Sequence, residues 1–197
     1  MDTRNHNKID RKEAIKRTGM LMGGVIFGPS ILGVLKGCTA TPGVDWNPTL
    51  FSNRQAQLVT SLADVILPED DTPSASQAGV PAFIESMVKE VYNDEQRETF
   101  LRGLDRFGEE STAELEADFF ESPAGDMFDY VFNLNENALQ GGPLEGETPF
   151  ILMFKELTML GYFTSEVGAT QVLRYEAVPG RYDGCIPFED VGRTWAT

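Results

Sequence analysis

Side chains able to do proton or metal chemistry are few in this chain and poorly grouped. The only histidine is His6, so everything after it lacks the commonest general base and metal ligand. That excludes a Ser-His-Asp or Cys-His nucleophile there, and a Cys-x-x-Cys-His haem attachment as well. What remains is acid. Asp64 stands among apolar neighbours in a helical pattern, where it caps or pairs inside the fold. Glu69-Asp70-Asp71-Thr72-Pro73 sets three carboxylates in a row, but lacks the alternating oxygen ligands and central glycine of a calcium loop. A solvated turn is the expectation. An enzyme built on Asp64 and Asp71 would need both to face one cleft, which spacing alone does not place. Gly-x-Gly-x-x-Gly and Gly-x-x-x-x-Gly-Lys are absent, so no nucleotide is bound by a recognisable device. No catalytic, metal-binding or cofactor-binding residue is expected.

The charge is lopsided. Of 16 Lys/Arg and 31 Asp/Glu, residues 1–37 hold seven and three, leaving nine against 28 in residues 38–197, a net of −19. Phosphate binding needs basic surface, so nucleic acid is excluded as a partner. The acidity keeps the surface soluble and self-repelling; its functional counterpart is docking to a basic partner.

The elements that would position any site read as helices. Ser52 is a candidate N-cap for a helix to about Leu67, with Leu58, Leu62, Val65 and Ile66 at helical spacing. Pro68 ends it, and a loop follows to about Gly79. A helix over 80–92 places Phe83, Ile84, Met87, Val88 and Val91 on one broad face, with Pro81 in its first turn. Asp94 caps the next, with Phe100, Leu101, Leu104 and Phe107 inward and Glu98 paired to Arg102. A separate helix is expected from about Thr112 to Ser122, and another after Pro123. In that one Met127, Phe128, Val131, Phe132 and Leu134 form a stripe read as core. Residues 140–147 (QGGPLEGE) form an acidic loop. Pro149 opens a helix carrying Phe154, Leu157, Leu160 and Tyr162, broken at Gly161 and followed by a second short helix.

The end of the chain is irregular and rich in Tyr, Pro and Gly, yet carries Tyr175, Tyr182, Phe188 and Trp195. So much aromatic surface in a tail lies against its own domain or against another chain. No sustained strand alternation and no internal repeat occur. The expected fold is all-α, an irregular multi-helix single domain over 51–197 with a long non-regular tail, reached through a tether at 38–50.

Residues 1–37 read as an export segment or anchor. A basic head is followed by 18 uncharged residues, 18–35, then Lys36-Gly37-Cys38. Arg11, Lys12 and Lys16 lie in a stretch resembling a twin-arginine signal, with Lys12 where the second arginine is usual. Leu35-Lys36-Gly37-Cys38 resembles a lipobox, which would make Cys38 the lipidated first residue. A retained anchor, for which 18 residues reach across a bilayer core, and plain secretion stay open. Each puts the domain outside the cytoplasm, in the cell envelope or beyond.

Two segments carry a family likeness. Residues 62–88, LADVILPEDDTPSASQAGVPAFIESMV, resemble the N-terminal signature of gluconate 2-dehydrogenase subunit 3, with Asp64, Pro68, Asp71-Thr72-Pro73, Gly79-Val80 and Phe83 matching. Residues 154–185 resemble its C-terminal signature through Gly161-Tyr162-Phe163-Thr164-Ser165, Gly168, Tyr175 and Val178-Pro179-Gly180, with Trp195 beyond. Ser74-Ala75 stands where the family more often has Gly-Ala.

The resemblance implies a small, cofactor-free accessory subunit of membrane-associated, FAD-dependent sugar and polyol dehydrogenases. The partners implied are a large flavin subunit, which holds the FAD, and often a cytochrome c subunit. The small subunit would carry the large one through export. Tyr162, Phe163, Tyr175, Pro179 and Trp195 are candidate interface anchors, since interface energy concentrates in buried aromatics. For Tyr162 and Phe163, internal packing is the equal alternative. If Cys38 is lipidated, Cys185 is left unpaired: a harmless thiol, or one half of a disulfide to the large subunit. The alternative to the whole reading is a free-standing envelope lipoprotein acting as a structural or binding module.

Overall fold

A hydroxyl and an amide side chain start the first helix, α1 (Asn53–Ile66). Ser52 Oγ accepts the Gln55 N–H at 3.3 Å while Gln55 Oε1 accepts the Ser52 N–H at 2.9 Å, a reciprocal cap that satisfies two otherwise orphaned donors. The computed structural model describes residues 46–140, 148–178, 180 and 184–196. All of them fall in one unit, Thr41–Thr197. Arg11, Lys12, Lys16 and Cys38, the 141–147 loop, Pro179 and Tyr182 lie outside the described residues.

Among the described residues the chain is all-α, with no strand beyond one isolated bridge, Arg174 to Trp195. Helix α2 (Val80–Ser86) runs into a π-turn, Met87–Val91. Here the sequence expectation needs correcting. The wider turn, closed by the Tyr92 N–H on Met87 O at 3.1 Å, swings Val91 out to 63% exposure, while Val80, Ile84 and Val88 are fully buried. Arg97 then closes the turn's open end. Its guanidinium donates to the carbonyls of Val88 (3.1 Å), Lys89 (3.1 Å) and Tyr92 (3.2 Å).

Helix α3 (Asp94–Leu115) is capped by Asn93 rather than Asp94, again in a reciprocal box, with Gln96. It runs unbroken where two helices were expected. The hydroxyls of Ser111 and Thr112 donate back to Gly108 O at 3.3 and 2.7 Å instead of capping a new start. Glu116, with φ 55°, ends the helix, and only a 3-10 turn, Phe119–Glu121, follows before α4 (Ala124–Gln140). Glu98 and Arg102 face each other at 3.9 Å as their spacing suggested.

Helix α5 (Phe150–Thr164) lies against α1, α2, α3 and α4 and continues through Gly161. Gly161 is there for space, not to break the helix. A Cβ on it would lie 2.6 Å from the Phe83 ring of α2. The core around α5 is aromatic: Phe100 stacks on Phe51 (6.3 Å) and Phe154 (6.4 Å) and meets Phe150 edge-on (5.3 Å). Phe107 joins it to Phe119 and Tyr130. A second π-turn, Gly168–Val172, and a single-turn helix α6 (Phe188–Val191) complete the described chain.

Candidate partner interface

The two stretches that carry the family likeness meet inside the domain. Tyr162 on α5 is buried, and its hydroxyl donates to Pro73 O at 2.7 Å and lies 3.2 Å from Thr72 Oγ1. Thr72 is itself held by Asp70, whose Oδ1 accepts the Thr72 N–H (2.8 Å) and hydroxyl (2.9 Å). Those bonds hold the Asp70 carboxyl below its ordinary range. The acidic run is thus a turn closed on itself. Asp64 accepts the Ser76 N–H at 2.8 Å and pins the far side of the same loop. The Tyr162 side chain packs internally. Phe163, half-buried, stands edge-on to it at 5.5 Å.

Past α5 the chain turns on Ser165, which donates its hydroxyl to Tyr162 O (2.7 Å) and accepts the Gly168 N–H (3.0 Å). A Cβ on Gly168 would fall 1.9 Å from Tyr162 O, so the approach of these backbones requires glycine. The segment beyond is clipped at its base. Arg174 N–H donates to Thr194 O at 2.8 Å, the Ala196 N–H to Arg174 O at 2.9 Å, and the Arg174 guanidinium lies 4.2 Å from the centre of the Trp195 ring. Arg193 donates to Gln171 O at 2.6 Å, and Arg174 to Val191 O at 3.1 Å.

The clip presents the rest of the loop outward. Tyr175, Val178, Ile186 and Phe188 are exposed, Val178 at 79% and Phe188 at 70%. Trp195 is exposed on one side of its ring contact, and Cys185 is an exposed free thiol. Among the described residues of the tail, the hydrogen bonds join its two ends, and Tyr175 and Phe188 are exposed between them.

One residue that sequence reading missed is Glu85 on α2. Its buried carboxylate accepts the N–H groups of Thr49 (2.8 Å), Leu50 (2.7 Å) and Phe51 (2.9 Å) through Oε1, and the Trp46 indole N–H (3.1 Å) through Oε2. Burial pushes its pKa up, but the four donors outweigh burial and hold it below the ordinary value of 4.5. It fastens the strand of chain that enters the domain. Only its place among Ile84, Met87 and Val88 hinted at it.

Among the described residues no three His, Cys, Asp or Glu gather as metal ligands, and no helix is long and apolar enough to cross a membrane. Fold and surface together define a helical domain in which Glu85, Asp64 and Tyr162 fasten its own loops and whose clipped C-terminal loop offers apolar side chains to solvent. Residues 53–180 match the family model of gluconate 2-dehydrogenase subunit 3, and the chain belongs to that family. By the family's name it is a subunit of a dehydrogenase complex. The match takes in the 62–88 signature whole and ends within the second, leaving Cys185 and Trp195 beyond it. No curated protein and no solved structure matches the chain.

Proposed function

We propose that this chain is the non-catalytic small subunit that binds, stabilises and carries for export a large FAD-dependent (GMC-type) sugar or polyol dehydrogenase subunit, and anchors it at the periplasmic side of a membrane. The observation that carries the reading is the family match over 53–180, joined to a C-terminal loop that turns apolar side chains away from its own core. In this reading the flavin and the hydride chemistry belong to the partner. A cytochrome c subunit takes the electrons onward. Tyr175, Pro179 and Trp195 bear on the large subunit, and Cys185, an exposed thiol, forms a disulfide to it. Arg11, Lys12 and Lys16 direct export, and lipidation of Cys38 supplies the anchor.

The test is purification of the tagged full-length chain from its native membranes. The expected result is a co-purifying protein with a flavin spectrum that reduces an electron-acceptor dye when a sugar or polyol is supplied. A chain that comes out alone and monodisperse under mild conditions would overturn the subunit reading and leave a free-standing envelope module. Non-reducing electrophoresis of the complex checks Cys185: two chains that migrate separately rule out the disulfide.

A further inference from the structure

The C-terminal loop leaves the domain through one short helical turn, Gly168–Val172, and returns through another, α6. Each turn ends in carbonyls that its own N–H groups cannot reach. In both cases the missing donors come from an arginine on the other limb. Arg193, on the returning limb, donates through Nη1 to Gln171 O at 2.6 Å and Val172 O at 3.4 Å. Arg174, on the leaving limb, donates through its own Nη1 to Val191 O at 3.1 Å and Asp190 O at 3.4 Å. A basic side chain laid on the last carbonyls of a helical turn is a favourable cap, and here the two caps are exchanged. Among the described residues neither arginine pairs with a carboxylate, so both guanidinium groups are spent on the loop's own backbone and, for Arg174, on the Trp195 ring.

The helices gain no packing from this arrangement. Among the described residues, the last apolar side chain in contact with the core is Val172. Tyr175 and Val178 on the leaving limb, and Ile186 and Phe188 on the returning one, are exposed. A loose segment with such side chains must be ordered when it meets a partner, and that ordering weakens binding. A segment held in shape beforehand avoids the loss.

We infer that Arg174 and Arg193 are positioning residues: as a reciprocal clasp they hold Tyr175, Val178, Ile186 and Phe188 in the arrangement that docks on the large flavin subunit. This rests on the subunit reading above and deepens it. The apolar side chains meet the partner, while the arginines act through the loop's carbonyls.

The experiment compares full-length tagged wild type with Arg174→Ala, Arg193→Ala and Arg193→Lys. One readout is flavin per tagged chain after purification from detergent-solubilised native membranes. The other is deuterium uptake by peptides from residues 173–196 in the full chain produced without the large subunit. Both alanine variants should exchange about tenfold faster in 173–196, with uptake in α1–α5 unchanged. They should carry about fivefold less flavin, because the loop must then be ordered on docking. Arg193→Lys keeps a donor for Gln171 O and should lie closer to wild type than Arg193→Ala in both readouts. Faster exchange with flavin equal to wild type overturns the clasp as a docking device. So does lost flavin with unchanged exchange, which would put the arginines against the partner itself. Faster exchange throughout α1–α5 would make them general stabilisers and overturn it too, as would a wild-type 173–196 segment with no protection before docking. In each of these cases a wild type that brings down flavin leaves the subunit reading standing. A wild type that brings down no flavoprotein overturns both.

Discussion

Glu85 is the residue on which the entry of the chain depends. Glu85→Gln keeps the size but loses the charge that draws in four donors, and should lower stability by about 1–3 kcal/mol in urea unfolding, because hydrogen bonds to a charged group exceed neutral ones. The pH dependence has a fixed sign. A carboxyl depressed below its unfolded value of 4.5 contributes stability that is present above pH 4.5 and is lost as pH falls through the folded pKa. The gap between wild type and Glu85→Gln should therefore close in acid; a gap that stays constant down to pH 3 would show that Glu85 acts through packing alone. Tyr162→Phe tests the bridge between the two signature stretches. It removes one hydroxyl from Pro73 O and Thr72, and should cost about 0.5–1.5 kcal/mol with the fold retained.

At the scale of elements, α2 and α5 touch where Gly161 meets Phe83. Gly161→Ala should destabilise by about 1–3 kcal/mol through overpacking, and Phe83→Leu in the same chain should recover part of that loss. Strictly additive losses in thermal melts would mean that the contact is not what makes glycine necessary. The C-terminal loop is a different kind of element, held at its base by one backbone bridge, two arginines and one ring contact. Trp195→Ala should leave the melting temperature within a few degrees of wild type but raise the rate of proteolytic nicking within residues 173–196 several-fold. A loop whose ends are fixed only locally opens without unfolding the domain.

For the molecule as a whole, the net −19 of residues 38–197 bears on assembly rather than on folding. If charge guides docking to the large subunit, co-purified flavin per chain should fall steadily as salt rises toward about 0.5 M, where the screening length is only a few ångström. A complex indifferent to salt would place its binding energy in apolar contact alone. The aromatic core behind α5 should be unaffected over the same range. Its contacts among Phe51, Phe100, Phe107, Phe150 and Phe154 involve no ion pair.

Sequence by itself determined the helical class, most helix starts and the family, because caps, prolines and 3.6-residue periodicity are local signals. Ser52, Pro81, Pro149 and the Glu98–Arg102 pair all stand where spacing put them. It also carried the motif residues, whose work the fold then defined: Tyr162 with Thr72 and Gly161 with Phe83 join two distant stretches, while Asp64 and Gly168 fasten each stretch on itself. Tertiary structure alone decided which apolar residues reach the core. Phe128 and Val131 have the same pattern in the sequence, yet Val131 is buried and Phe128 exposed, and one π-turn was enough to put Val91 in solvent. Glu85 was illegible for the same reason. A carboxylate on a helix looks solvated until a segment more than 30 residues away folds over it and offers it four donors. Burial is a property of what arrives from elsewhere in the chain, and no local pattern encodes it.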